Sequence, residues 1–251
     1  MRQLFIIMVG WSVCWIGSEH VRADQSRDRA LAVIERAINA QGGAQRLARL
    51  QTYERTAWGK QLLTNQEVDF TTTLTVAFPK RMHDHITVQL QGSKTELVQV
   101  LDGDKAWRTV GDKTNVLSKE ETADLREELY LMRVSTLLPL KEEGFGLKLL
   151  PDIKVDGRLT HVVQVEHKGH AAVKLSIDAR NYLLIKMEHR TRQATLTVVK
   201  EYRLSDYKEF EGLRLPTKQT EYTNGNKAGE LTTTGYRFLE KADQKLFEQA
   251  K

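Results

Sequence analysis

Three short stretches carry side chains able to do chemistry. His83-Asp84-His85 places two imidazoles one residue apart. On a strand, alternate residues face the same way, so His83 and His85 make half of a zinc site that needs a third ligand from elsewhere. His161, His167 and His170 are further candidates around a later hairpin. Asp102-Gly103-Asp104 supplies two carboxylates, but Lys105 and Ala106 follow where a calcium loop would alternate oxygen ligands. Asp and Gly accept the positive φ of a tight hairpin, so the triplet reads as a reverse turn that returns Trp107 on the next strand. Glu120-Glu121 and Glu127-Glu128 lie in a charge-rich helical stretch and read as a solvated face. No Gly-x-Ser-x-Gly elbow, His-Glu-x-x-His pair, phosphate loop or dinucleotide fingerprint occurs. The expectation is therefore no catalytic residue, no bound metal and no cofactor. A metal-dependent enzyme using His83, His85 and other histidines is kept as an alternative.

The frame around these residues is an exported one. Arg2 precedes an apolar segment over 4–17, which is too short to span a membrane as a helix. Val21-Arg22-Ala23 then offers a cut before Asp24, the layout of a secretory signal peptide. The expected organisation is a signal peptide at 1–23 and a single domain at 24–251. The one cysteine, Cys14, lies inside that leader, so the mature chain has no disulfide and no thiolate chemistry. Export without disulfides fits a bacterial periplasm. Hydrophobic residues make up 40% and charged residues 28%, enough for a packed core. The net charge of +5 is spread along the chain with no basic, aromatic-rich stripe, which argues against a nucleic-acid partner.

Hydrophobic spacing supplies the elements. Leu31, Ile34 and Ile38 share a helical face over about 28–40, with Ser26 as candidate N-cap and Gly42-Gly43 as the stop. From Tyr53 the period becomes two. Leu74, Val76 and Phe78 share one face, as do Ile86, Val88 and Leu90, and then Val98 and Val100. Ser118 with Glu121 is a capping box opening a helix over about 119–138, which carries Leu125, Leu129 and Met132 and ends at Pro139. Alternation then resumes at Val163/Val165, Val173/Leu175/Ile177, Leu183/Ile185/Met187, Leu196/Val198, Leu213/Leu215 and Leu231/Thr233. Asp102-Gly103, Lys168-Gly169 and Asn224-Gly225 are hairpin pairs. About ten strands joined mostly by short turns imply a mainly β, α+β fold: an antiparallel meander preceded by one helix and interrupted by another.

The order of these features resembles the LolA-like group of periplasmic lipoprotein carriers and outer-membrane lipoprotein-sorting proteins. The matching stretches are "INAQGGAQRLARLQTYE", "FPKRMHDH", "VLDGDKAWR", "KLSIDARNYLLIKMEH", "EYRLSDYKEFEGLRLPTKQTEY" and "ADQKLFEQA". The resemblance implies a curled antiparallel sheet forming an unclosed β-barrel, with helices over its concave face and an apolar cavity that binds acyl chains. It gives Asp178, Asp206-Tyr207 and Gly212 to Pro216 structural roles.

The resulting expectation is a monomeric periplasmic binding or carrier protein for a lipid or lipoprotein acyl chain, with inner- or outer-membrane-associated proteins as partners. The candidate lining is Leu74, Val76, Phe78, Ile86, Val88, Leu90, Val98, Val100 and Trp107, with Leu125, Leu129 and Met132 as the lid. A sensor or protein-interaction module of the same fold is the second reading, and a filled interior with an exposed apolar patch would distinguish it.

Overall fold

The computed structural model describes residues 18–63, 66–90, 92–193 and 196–249. The apolar part of the expected leader, with Cys14, lies outside these residues. Helix α1 (Ser18–Ala40) runs across the expected cut before Asp24, and among the side chains described, from 25 on, it buries Ala30, Ile34, Ala37 and Ile38. Ser26 is inside α1 rather than its N-cap, and its hydroxyl accepts the backbone N–H of Leu149. Gly42 and Gly43 end the helix at positive φ, where a Cβ would strain the chain. A short helix α2 (Ala44–Leu47) and a 3-10 turn then lead into the sheet.

Six strands follow as a meander: β1 (Thr52–Leu63), β2 (Gln66–Ala77), β3 (Arg81–Leu90), β4 (Ser93–Asp102), β5 (Lys105–Val110) and β6 (Lys113–Val116). Helix α3 (Lys119–Ser135) interrupts them. Seven more complete the sheet: β7 (Phe145–Val155), β8 (Arg158–His167), β9 (Val173–Asp178), β10 (Leu184–Gln193), β11 (Leu196–Phe210), β12 (Leu213–Thr223) and β13 (Asn226–Phe238). The thirteen antiparallel strands form one sheet in the order β6-β5-β4-β3-β2-β1-β13-β12-β11-β10-β9-β8-β7. This is the mainly β, unclosed barrel that the alternation and the resemblance implied. The strands beyond the expected ten include β6, too short to show a period, and β7, for which the alternation named no strand.

The topology explains the position of α3. The first meander walks outward from β1 to the edge strand β6, and the second begins at the opposite edge, β7, and walks back until β13 pairs with β1. The connection between the two edges has to cross the sheet, and α3 is that connection. It crosses on the concave side. The chain turn predicted at Asp102-Gly103 joins β4 to β5, with Gly103 at positive φ. Asn224 and Gly225 both take positive φ between β12 and β13, as a type I′ hairpin requires.

The capping box at the start of α3 is present in full. The Ser118 hydroxyl accepts the Glu121 N–H, and the Glu121 carboxylate accepts the Ser118 N–H at 2.9 Å. The helix stops at Ser135, earlier than Pro139 alone would dictate, because Leu137 turns to φ 63° and Pro139 enters a separate 3-10 turn. The main core lies between the concave face and the helices. It holds Ile34, Leu74, Val76, Met82, Leu101, Leu129, Val163, Leu175 and Ile177 among others. A second, small apolar cluster of Ala77, Val100, Trp107, Ala242 and Phe247 sits on the other face under the C-terminal segment.

The edges of the sheet are protected. Edge β7 carries α1 along it, with Arg27 donating to the Phe145 carbonyl at 2.6 Å. Edge β6 is four residues long and includes Lys113 and Asn115. Short and polar edges resist pairing with another chain.

Candidate functional site

The site is a cavity of about 590 Å³ between α3 and the inward rows of β1, β10, β11, β12 and β13. From α3 come Leu125, Leu131 and Met132, together with Asp124, Glu127 and Glu128. The 3-10 turn before β1 adds Leu50, and the sheet adds Tyr53, Leu184, Met187, Leu204, Leu215 and Leu231, as apolar or aromatic surface. It also adds Arg55, His189, Lys200, Tyr202, Gln219 and Glu221. A volume of this size is in the ordinary range for a small-molecule site.

Alternation along the strands sets the distribution of these groups. Period-two geometry sends every second residue into the hollow. The inward row of β10 reads Leu184, Met187, His189, Thr191, with a bulge between the first two. That of β11 reads Leu204, Tyr202, Lys200 in the same spatial direction, and that of β12 reads Leu215, Thr217, Gln219, Glu221. Three adjacent strands thus change from apolar to polar toward the end carrying the β10–β11 and β12–β13 turns.

Helix α3 is fastened at both ends across this hollow. Arg126 pairs with Asp104 at 2.8 Å, and Arg108 approaches Glu121 at 3.6 Å, which tie it to the β4–β5 hairpin. At the other arm, Glu127 meets the His170 ring at 2.7 Å, and its second oxygen accepts the Ala171 N–H. His170 stacks on Tyr130 with ring centroids 3.7 Å apart. Burial raises the Tyr130 hydroxyl to about 12, with the nearby Glu127 charge adding to the effect, so it stays protonated.

The charges inside are largely compensated. Lys200 pairs with Glu221 at 2.8 Å. Glu128 projects from α3 toward Asp84, Arg55, Lys200 and Glu221; water reaches it through the cavity, yet protein surrounds it. Burial is the main force that lifts its carboxyl to about 7, Asp84 and Glu221 push the same way, and Arg55 and Lys200 oppose. Asp84 accepts a hydrogen bond from the Thr72 hydroxyl, and burial nonetheless raises it. Burial lowers His189, and neither of its ring nitrogens has a hydrogen-bond partner among the described residues. The Arg55 Nε is likewise buried and unpartnered.

Of the twelve candidate lining residues, Leu125 and Met132 border the cavity. Leu129 is packed into the main core beneath α3, as are Leu74 and Val76, with Phe78 against it. Ile86 and Val88 lie opposite Thr72 and Phe70, on the same inward row as Leu74, but away from the cavity. The side chain of Leu90 lies outside the described ones. Val98, Val100 and Trp107 require a correction: they occupy the opposite, convex face, in contact with or part of the cluster under Phe247. The inward residues of β4 and β5 are Leu101 and Ala106, which pair with each other. Glu127 and Glu128 both border the cavity; Glu127 is half-buried, while Glu128 is exposed, as a solvated face implies.

The histidines are scattered. His83 is directly opposite Val100, which places it and His85 on the convex side, with His85 3.7 Å from Glu96. His161 pairs with Asp152 at 3.1 Å. Among the described residues no three His, Cys, Asp or Glu side chains come together as a metal site.

No family model and no curated protein matches this chain. Its fold does have solved counterparts. An outer-membrane lipoprotein-sorting protein domain from Vibrio parahaemolyticus aligns with a TM-score of 0.57 at 14% identity, covering 88% of this chain and 97% of that one. The LolA superfamily protein NE2245 from Nitrosomonas europaea gives 0.58 at 13% identity, with the same coverage. A DUF1329 family protein from Desulfovibrio piger gives 0.59 at 11%, covering 87% and 97%. At such identities the likeness is one of fold, and the fold of this chain is the open, helix-crossed barrel of the LolA superfamily.

Proposed function

We propose that this protein is a non-catalytic periplasmic binding or carrier protein for a lipid or lipoprotein acyl chain, held between α3 and the concave sheet. The observation that carries this reading is the hollow itself: Leu125, Leu131 and Met132 face Leu184, Met187, Leu204 and Leu215 across unfilled space. Each methylene moved from water into such surroundings contributes about 0.8 kcal/mol. The lipoprotein-sorting name of a structural counterpart supports the ligand class. A transport role further implies partners at the inner or outer membrane.

Organic extraction of the purified protein followed by mass spectrometry tests the proposal. Recovery of a lipid near one-to-one is the expected result. The exposed Leu62, Leu63 and Leu196, flanking the β1–β2 and β10–β11 turns, favour a second reading, a protein-interaction module. A clean extract with no uptake of a fluorescent fatty acid would select that second reading.

A further inference from the structure

The cavity carries more polar capacity than a hydrocarbon chain can use, and its placement is ordered. His189 is 95% buried, borders the hollow, and has two ring nitrogens with no hydrogen-bond partner among the described residues. A neutral imidazole is one donor and one acceptor, and leaving both unmade in a buried place is costly. His189 stands one inward step beyond Met187 on β10, and its ring lies nearly parallel to Tyr202 at 6.0 Å. Thr191 and Gln219 continue the polar end, and the Arg55 Nε–H is a further unused donor.

Formal charge does not account for this end. Lys200 is neutralised by Glu221, and Arg55 lies in the field of Asp84 and Glu128. An entering carboxylate or phosphate would meet Asp124, Glu127, Glu128 and Glu221 along with Arg55, Arg192 and Lys200, and so gain little from electrostatics. An entering ammonium would meet the same balance. What is left over is hydrogen-bonding capacity of both signs, beside an apolar compartment.

From this arrangement we infer that the ligand is an amphiphile with an uncharged, hydroxylated or ester-bearing head, which His189 hydrogen-bonds while the tail lies along Met187, Leu204 and Leu215. Monoacylglycerols are the simplest members of that class. This rests on the carrier reading above and adds the chemistry of the head. His189 acts as a specificity determinant; the apolar rows supply affinity common to all tails of one length.

Competition against the neutral dye Nile red tests it, with the single-chain amphiphiles 1-monooleoylglycerol, oleate, oleylamine and 1-oleoyl-lysophosphatidate as competitors on the full chain. Monooleoylglycerol is expected to bind about tenfold more tightly than oleate or oleylamine, the equivalent of one net hydrogen bond. H189F is expected to weaken monooleoylglycerol by about the same factor and leave oleate within about twofold, whereas H189Q, which keeps a donor and an acceptor, retains the preference. Should H189F fail to fold, the ranking on the wild-type protein decides. Equal or tighter binding of any charged competitor, or a preference unchanged in H189F, overturns the assignment of the head while leaving the carrier reading in place. Failure of Nile red and every amphiphile to bind overturns both.

Discussion

Glu128 is a cavity carboxylate whose ionisation is displaced upward, and the displacement has a definite sign. Its ordinary value is 4.5 and its value in the fold is about 7. Between the two, the folded state holds a proton that the unfolded chain has lost. Its contribution is therefore complete below about pH 4.5 and is lost as pH rises through about 7. E128Q carries no such proton, so it should gain about 1 kcal/mol relative to wild type between about pH 5 and pH 8, after allowance for screening by cavity water. Urea midpoints at the two pH values measure this, and an unchanged difference would place Glu128 in open solvent. His189 is shifted the other way, downward by burial, so its contribution is present above 6.5 and declines as pH falls. The acid limb of H189F should be correspondingly shallower. Neither residue was legible in the sequence as part of a site. Glu128 stands in a run of charges, and His189 stands among polar neighbours on a strand with no local motif around it. A half-polar interior reverses the usual pattern in which polar residues mark the outside.

Helix α3 borders the cavity opposite the sheet, and its sequence signals were clear at the start and weaker at the end. Ser118 and Glu121 fixed its first turn, because reciprocal capping is a local geometry that four residues specify alone. S118A should cost about 1 kcal/mol, measured by chemical denaturation. The fastening to the β8–β9 turn is non-local, since Glu127 and His170 are distant in sequence, and no periodicity could announce it. E127A should accelerate amide exchange over 119–135 several-fold while shifting the global midpoint little, as expected for an opening smaller than global unfolding. Equal exchange in the two proteins would mean that apolar packing through Leu129 and Val134 alone seats the helix. The strands show the same division. Their alternation told which residues share a face, and Leu74, Val76, Ile86 and Val88 do. It left open which face of β4 and β5 turns inward, and a one-residue change of parity moves Val98, Val100 and Trp107 to the convex side.

At the scale of the whole molecule, ion pairs run across the convex face of β9, β10 and β11. Lys186 bridges Glu188 and Glu201 at 3.0 and 3.2 Å, and Arg203 bridges Glu201 and Asp156. Such partly exposed pairs contribute little individually. The apolar exception is Trp107 with Val100, shielded by Phe247, whose ring also receives the Arg81 guanidinium at 4.9 Å. F247A should cost about 3 kcal/mol and, in protein prepared without residues 1–23 and so without Trp11 and Trp15, shift tryptophan emission to the red; Trp58 is already 45% exposed, so Trp107 would supply the change. An unshifted spectrum would mean that Ala242 and Leu246 suffice as cover. The resemblance and the strand count indicated the architecture, but the location of the hollow depends on where α3 crosses, a property of the connection between two edges rather than of any one stretch.

That connection has a consequence for the order of assembly. Most hairpins join neighbours in the chain and can form as synthesis delivers them. The β1–β13 seam instead matches Tyr53 with Phe238, partners at opposite ends of the sheet-forming sequence. Closing so long a loop is slow. Two half-sheets with raw, unmatched borders at β1 and β12 must therefore wait for the final strand, β13, and during that interval the molecule is most exposed to sticking to its own kind.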